Sequence, residues 1–274
     1  MRDVATLQRI ARELRMDIVE MIYRAASGHP GGSLSIAELL TALYFDEMNH
    51  SPDRKDDPAR DRVVLSKGHT APALYATLSK AGYFDREELW RLRQVGAMLQ
   101  GHPDRKGTPG VDASTGSLGL GVSAACGMAK AAKIYGDSYR VYTLLGDGEM
   151  EEGSVWEALM FAAHYKLDNL CVMVDQNGLQ IDGPVCDVMN VQPLDQKLAA
   201  FGFEVAVIDG HDFPAIFDAF DRARRTKGAP FAIVAKTVKG KGVSFMENNA
   251  SWHGSAPNAE QYEQAMAELG REEG

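Results

Sequence analysis

The residues best placed for chemistry lie in one stretch, Tyr139 to Gly183. There Asp147 stands between Gly146 and Gly148 at the end of an apolar run, and Asn177 follows the end of a second one. Glycines at such a position let the backbone turn tightly and approach a ligand closely. The helix that starts just beyond Gly148 would offer free N–H groups and the positive end of its dipole to a phosphate. In open α/β sheets, ligands bind beyond the carboxyl ends of the strands. If the two strands are neighbours, Asp147 and Asn177 lie side by side at that edge. A carboxylate, an amide and nearby backbone carbonyls form an all-oxygen set, suited to Mg²⁺, with Ca²⁺ as a substitute, rather than to zinc. Phosphate oxygens and water would complete the shell. Asp-Gly and Asn-Gly pairs are ordinary turns when taken singly. It is the closing of two strands of one βαβ unit by both that points to a site.

Five of the seven histidines, His29, His69, His102, His211 and His253, sit beside glycine. Imidazole titrates near neutral pH and can move protons in either direction. His211, in the sequence DGHD, reads as a turn stabiliser, and His50 and His164 as loop residues satisfied by backbone hydrogen bonds. Four glutamates, Glu149, Glu151, Glu152 and Glu157, fall in the first turns of the following helix. Acids there favour the dipole and face water, which is the reading for Glu149 and Glu151. Lys239, in the basic glycine-rich turn Lys239-Gly240-Lys241-Gly242, either touches a diphosphate or is a solvated loop lysine. The loop TGSLGLG (115–121) has dinucleotide-like glycine spacing, but no clear strand precedes it, and no P-loop pattern occurs.

These groups need a scaffold. Leu7, Ile10, Leu14, Ile18 and Ala25 recur at helical spacing, so an amphipathic helix is predicted, stopped at Ser27-Gly28. Ser35 to Glu38 has the capping-box pattern and predicts a helix through about Met48; Asp85 to Glu88 predicts another over roughly 86–95. Val63-Val64-Leu65 reads as a buried strand. After a long irregular segment, helices (118–135, 153–165, 194–201, 214–226) alternate with apolar strands (140–145, 170–174, 204–208, 231–235). Strands this apolar between helices predict a doubly wound, mostly parallel α/β sheet with helices on both faces, as one domain.

Composition narrows the function. The chain has 274 residues, 45% apolar and 24% charged, with 29 Lys+Arg against 38 Asp+Glu and a net charge of −9. An acidic chain without a basic run is a poor partner for nucleic acid or an anionic membrane. No stretch is long and apolar enough to span a bilayer, and the charged N-terminus does not read as a signal peptide. Cys126, Cys171 and Cys186 form no CxxC pair; the first two read as buried small hydrophobes and the compartment as reducing and cytoplasmic.

Gly146-Asp147-Gly148 answered by Asn177 resembles the diphosphate and metal motif of thiamin-diphosphate enzymes. Glu152-Gly153 and Ile181-Asp182-Gly183 resemble the transketolase version of it. SGHPG (27–31), LSKGH (65–69), GHP (101–103), TGSLGLG (115–121) and WHG (252–254) are similar to successive blocks of the N-terminal, diphosphate-binding half of the transketolase family. The resemblance covers nearly the whole of residues 1–274 and implies that fold. It implies thiamin diphosphate held through Mg²⁺ by Asp147, Asn177 and the carbonyl of Leu179. Gly116, Leu118, Gly146, Gly148, His69, His253 and Lys239 would lie against the cofactor. His29 and His102 would contact hydroxyl and carbonyl oxygens of a sugar or sugar-phosphate substrate, with His69 and His253 near the reacting centre. Glu152 and Glu157 would lie at a subunit interface in a carboxylate network linking two active sites, Glu152 also being counted among the catalytic residues. The implied reaction is transfer of a two-carbon ketol unit from a ketose to an aldose, with pentose phosphates the default substrates. On this resemblance the pyrimidine-binding and third domains of the family would lie outside residues 1–274. A C-terminal transketolase subunit would supply them in an α₂β₂ assembly. Competing expectations are a deoxyxylulose-phosphate synthase-like or 2-oxo-acid dehydrogenase-like chain, a non-catalytic cofactor-binding chain, and a nicotinamide-dependent enzyme.

Overall fold

The computed structural model describes residues 2–271. The first amphipathic pattern becomes α1 (Val4–Ala25), capped by Asp3, whose carboxylate accepts from the Thr6 amide at 3.1 Å. Its apolar stripe, Leu7, Ala11, Leu14, Ile18 and Ile22, is buried. The left-handed stop falls on Ala26 (φ 48°) rather than on Ser27-Gly28. Gly28 is still required just beyond it: its φ is 153°, and a Cβ there would lie 2.7 Å from Ile22 Cγ1.

The single helix predicted from Ser35 is instead broken into α2 (Pro30–Leu34), α3 (Ala37–Ala42) and a wide turn over Leu43–Glu47. Ser35 caps nothing because it closes α2 with helical backbone (φ −65°, ψ −24°); its hydroxyl donates to the Asp175 carboxylate at 2.7 Å. Asp85 also makes no cap, and Arg86–Arg91 is a 3₁₀ segment. Residues 62–65 form β1 (Arg62–Leu65), followed by α4 (Ala71–Lys80), which no periodicity announces because it is buried almost all round.

The predicted alternation follows. In order come α5 (Leu120–Tyr135), β2 (Val141–Gly146), α6 (Gly153–His164) and β3 (Leu170–Gln176). A small hairpin, β4 (Leu179–Gln180) with β5 (Gly183–Pro184), leads to α7 (Val185–Val188) and α8 (Leu194–Ala200). Then come β6 (Glu204–Asp209), α9 (Phe213–Arg225), β7 (Phe231–Lys236) and α10 (Ala259–Leu269). An Asn258–Gln261 capping box opens α10, a local signal the periodicity reading passed over.

Five strands form one parallel sheet in the order β1-β2-β3-β7-β6. Alternate strand residues point to opposite faces, so one sheet seeds two cores. Tyr142, Leu144, Cys171, Met173, Phe231 and Ile233 pack with α1, α3, α4, α9 and α10. Val141, Leu145, Val172, Val174, Ala232 and Val234 pack with α5, α6 and α8. Cys126 and Cys171 are buried and free, as predicted, while Cys186 is exposed. No described helix is long and apolar enough to cross a membrane.

Candidate functional site at the carboxyl edge of the sheet

The register sets the site. β2 and β3 are neighbours, with Gly146 opposite Asp175, so both chains leave the sheet together. Asp147 comes one residue later, its amide bonded to the Asp175 carbonyl at 3.2 Å. Its carboxylate is 1% exposed and accepts from the amides of Gly148 at 3.0 Å and Gly178 at 2.7 Å. Asp147 thereby reaches across to the Asn177-Gly178 turn, as the spacing predicted. Burial, and then the neighbouring Asp175 carboxylate, push its pKa up to about 7. Two amides are too little compensation for a carboxylate in such a place. A cation beside it would supply the missing compensation.

The other oxygens around it suit that cation. The Asn177 amide donates to Asp175 at 2.8 Å, which fixes its flip and leaves its Oδ1 facing the Leu179 amide at 3.1 Å. The Leu179 carbonyl accepts from the Lys239 ammonium at 3.2 Å, so a positive charge already sits against it. Among the described residues no group of three or more His, Cys, Asp or Glu is arranged to hold a metal ion by itself. The donor set is a carboxylate, an amide oxygen and a peptide carbonyl, the hard-oxygen chemistry of Mg²⁺ or Ca²⁺. These residues fit such an ion.

Beneath this set lies a charge pair that the sequence reading did not single out. Lys67, from the turn after β1, is 2% exposed and donates to Asp175 Oδ2 at 2.5 Å and to the Gly32 carbonyl at 2.9 Å. Ser35, Asn177 and Thr237 also bond to Asp175. Burial would raise the Asp175 carboxyl, but Lys67 and these donors hold it below its usual value. One fully buried carboxylate thus ties together α2, β1, β3 and β7 under the candidate metal ligands. A lysine straight after an apolar strand, beside Gly68-His69, was the available signal.

Glu149 requires a correction. It does not face water: it is 3% exposed and accepts from Ser66 Oγ at 2.5 Å, Gly119 N at 2.9 Å and Gly146 N at 3.2 Å. Helix-start position indicated a solvated acid, yet three chain segments converge there and need an acceptor. Glu151 is partly buried as well, with Oε1 shielded and unpartnered beside Gln180. Glu152 and Glu157 are exposed at the start of α6.

Three of the four candidate histidines form a cluster. The ring centroids of His29 and His69 are 5.1 Å apart, those of His69 and His253 5.1 Å, and those of His29 and His253 5.6 Å. Burial first, and neighbouring cations second, lower their pKa values to about 4 for His29, 2 for His69 and 3 for His253. All three are neutral at pH 7. His253 Nδ1 lies 3.2 Å from Lys239 Nζ. Lys239 is 2% exposed, not a solvated loop lysine, and burial followed by Lys67 lowers it to about 8. His102 is more open; burial and Arg93 lower its pKa too.

Glycines bring the loops together. A Cβ on Gly68 would lie 2.8 Å from the Gly116 amide, and one on Gly116 3.3 Å from the His102 ring. One on Gly148 would lie 2.8 Å from Gln180 Oε1. Gly116 and Leu118 are partly exposed on the loop leading into α5. That helix starts at Leu120 with no strand before it, so a dinucleotide fingerprint has no structural support. His211 does brace a turn: its Nδ1 lies 2.9 Å from Glu38, and its Nε2 accepts from the Val238 amide at 2.9 Å. His50 bonds to the Tyr44 carbonyl and the Tyr83 hydroxyl, also structural.

Comparison with known proteins agrees with this geometry. Residues 6–273 match the family model described as transketolase, thiamine diphosphate binding domain. The chain is 44% identical to one subunit of the apulose-4-phosphate transketolase of Phocaeicola vulgatus, covering 97% of this chain and 94% of that protein. It is 46% identical to the 6-deoxy-6-sulfo-D-fructose transketolase subunit SqwG of a Clostridium species, covering 97% of each. Transketolase from Campylobacter jejuni superposes with a TM-score of 0.93 at 34% identity, covering 98% of this chain and 43% of that one. Human transketolase is 42% identical over 96% of this chain but only 42% of its own length. The chain therefore spans about two-fifths of these single-chain transketolases and nearly all of the relatives named as subunits. With the oxygen-lined strand edge, the histidine cluster and these matches together, the chain belongs to the transketolase family, as its thiamine-diphosphate-binding domain.

Proposed function

We propose that residues 1–274 act as the diphosphate-binding domain of a two-chain transketolase, transferring a two-carbon ketol unit from a ketose donor to an aldose acceptor. The observation that carries this reading is Asp147, a carboxylate buried short of positive charge beside Asn177 and Leu179. In this reading Asp147, Asn177 Oδ1 and the Leu179 carbonyl hold Mg²⁺, for which Ca²⁺ substitutes, and the ion holds the diphosphate. Gly146 and Gly148 leave room for the diphosphate at the strand end, Lys239 and His69 add donors, and Gly116, Leu118 and His253 border the cofactor. When bound, thiamin diphosphate supplies the nucleophile and the electron sink for cleaving the bond beside the ketose carbonyl.

The remaining chemistry belongs to this chain's imidazoles. Because His29, His69 and His253 are neutral, each can offer a ring N–H to a sugar oxygen and a ring nitrogen lone pair to a sugar hydroxyl, and so hold these groups in place. His29 and His102 orient the substrate's oxygens, and the clustered rings exclude water. Two relatives are named for a phosphorylated and a sulfonated ketose. We take the donor to be a ketose with a terminal anionic group, pentose phosphates being the plainest case. A partner chain supplies the pyrimidine-binding portion. Glu152 and Glu157 at the start of α6, near exposed Leu120, Met160 and Phe161 of α5 and α6, mark the face where a second copy would complete an α₂β₂ assembly. The three free cysteines agree with a cytoplasmic setting.

Calorimetry tests the central point. Wild-type chain titrated with thiamin diphosphate and Mg²⁺ should bind, and Asp147→Ala should weaken binding about a hundredfold or more, ~3 kcal/mol. Unchanged affinity in the variant would remove the metal assignment.

A further inference from the structure

Arg93 is not used by the proposed reaction, yet its geometry is unusual. Among the described residues it is one of four non-glycine positions with positive φ, at 63°. Long side chains adopt that left-handed conformation seldom and only where the surroundings impose it. Here the bend closes a loop, with the Arg93 amide bonded to the Leu99 carbonyl at 2.8 Å. It also turns the guanidinium inward, toward two segments remote from each other in sequence.

One contact is to the segment before α2. Arg93 Nη1 donates to Ser27 Oγ at 2.8 Å, two residues ahead of His29. The second is to the segment before His102. A Cβ built on Gly101 would lie 3.2 Å from Arg93 Cζ, Nε and Nη2, so the planar guanidinium lies flat over that glycine. The Tyr75 hydroxyl, 2.9 Å from both the Gln100 and His102 carbonyls, holds the same segment from behind. Arg93 Nε is buried without a partner, as is Nδ1 of His29.

We propose that Arg93 is a positioning residue: by bridging the Ser27–His29 and Gly101–His102 segments it fixes the two substrate-facing imidazoles relative to one another. This rests on the transketolase reading only for what the imidazoles do, not for how they are held. Arginine suits the role because its rigid fork can bond one segment while its plane covers another. Electrostatics point the same way. The charges facing His29 are Arg93, His102 and Lys239, and the charge facing His102 is Arg93. The rings of His69 and His253 also border His29. Arg93 is the fixed cation common to both histidines, and it disfavours their protonation.

The test is a histidine-resolved NMR titration of the purified chain, with His50 as internal reference. Arg93→Met removes bridge and charge. The midpoints of His29 and His102 should both rise, by about half a unit or more, with His50 unmoved. Arg93→Lys keeps the charge but loses the fork. Its midpoints should stay near wild type, while the ring resonances of both histidines move or broaden. Ser27→Ala should disturb His29 resonances more than those of His102. If Arg93→Met leaves both midpoints and both ring environments unchanged, the proposal is overturned. Should Arg93→Met not fold, an Arg93→Lys spectrum identical to wild type at both histidines overturns it equally. Calorimetry with thiamin diphosphate and Mg²⁺ on the same samples separates the two ideas. Absent binding in wild type defeats the functional reading, whereas the NMR result decides Arg93 on its own.

Discussion

At the scale of single residues, this molecule buries charge and then surrounds it with partners. Arg15 and Glu38 form a bidentate pair, both bonds 2.6 Å, with His211 on the far side. Burial alone would raise the Glu38 carboxyl, but Arg15 and the His211 bond outweigh it and hold the pKa at about 2, against 4.5 for the free group. A folded-state value below the unfolded one means that the contribution to stability is complete above about pH 4.5 and is lost as pH falls toward 2. Its size is on the order of 3 kcal/mol. In urea unfolding measured across that window, Glu38→Gln should therefore show a flatter fall in stability than wild type. At pH 7 the variant should be less stable by about 3 kcal/mol or more, because the buried Arg15 is left unpaired. An identical pH slope in the two proteins would count against this account. Asp147 is the contrasting case: two backbone amides bond to it and no side-chain cation does among the described residues. That mismatch is the observation behind the ligand role proposed for Asp147.

At the scale of elements, the site depends on how closely helix starts approach strand ends. α5 comes nearest. A Cβ on Gly121 would lie 2.6 Å from Ser66 Cα, a backbone atom that cannot swing aside. Gly121→Ala should force α5 away from the end of β1 and destabilise the fold by about 1–3 kcal/mol. The same shift should weaken thiamin-diphosphate binding, since Gly119 at the helix start bonds to the Glu149 carboxylate that also holds Gly146. Chemical denaturation and calorimetry read the two effects; unaltered stability would show that α5 has more slack than the distance allows. Local patterns predicted most of these elements well. They failed at Ser35, which closes α2 in helical conformation instead of opening a helix, with its hydroxyl donated to distant Asp175, so the predicted capped helix did not form.

At the scale of the whole molecule, several large apolar side chains lie on the surface of α5 and α6. Leu120, Ile134, Tyr135, Met160 and Phe161 are exposed on α5 and α6. A solitary chain would leave these side chains in water. Under the proposed reading, the purified chain turns over no ketose in a coupled assay. Adding the complementary chain should bring activity with co-elution on a sizing column. Full turnover by the chain alone would show that it needs no partner.

The sequence by itself determined the apolar strands, the helices that alternate with them after residue 118 and the Asp147–Asn177 pair, because strand burial, helix periodicity and strand-end glycines are local and repeat along the chain. It also marked the histidines, through glycines that permit close approach. Only the tertiary structure decided what Lys67, Asp175, Glu149 and Arg93 do. Each is charged, and a charged residue reads as solvated until long-range contacts are known. Their partners lie far along the chain, with 108 residues separating Lys67 from Asp175 and 66 separating Arg93 from Ser27. Burial of a charge depends on which distant segments close over it, and no local pattern records that.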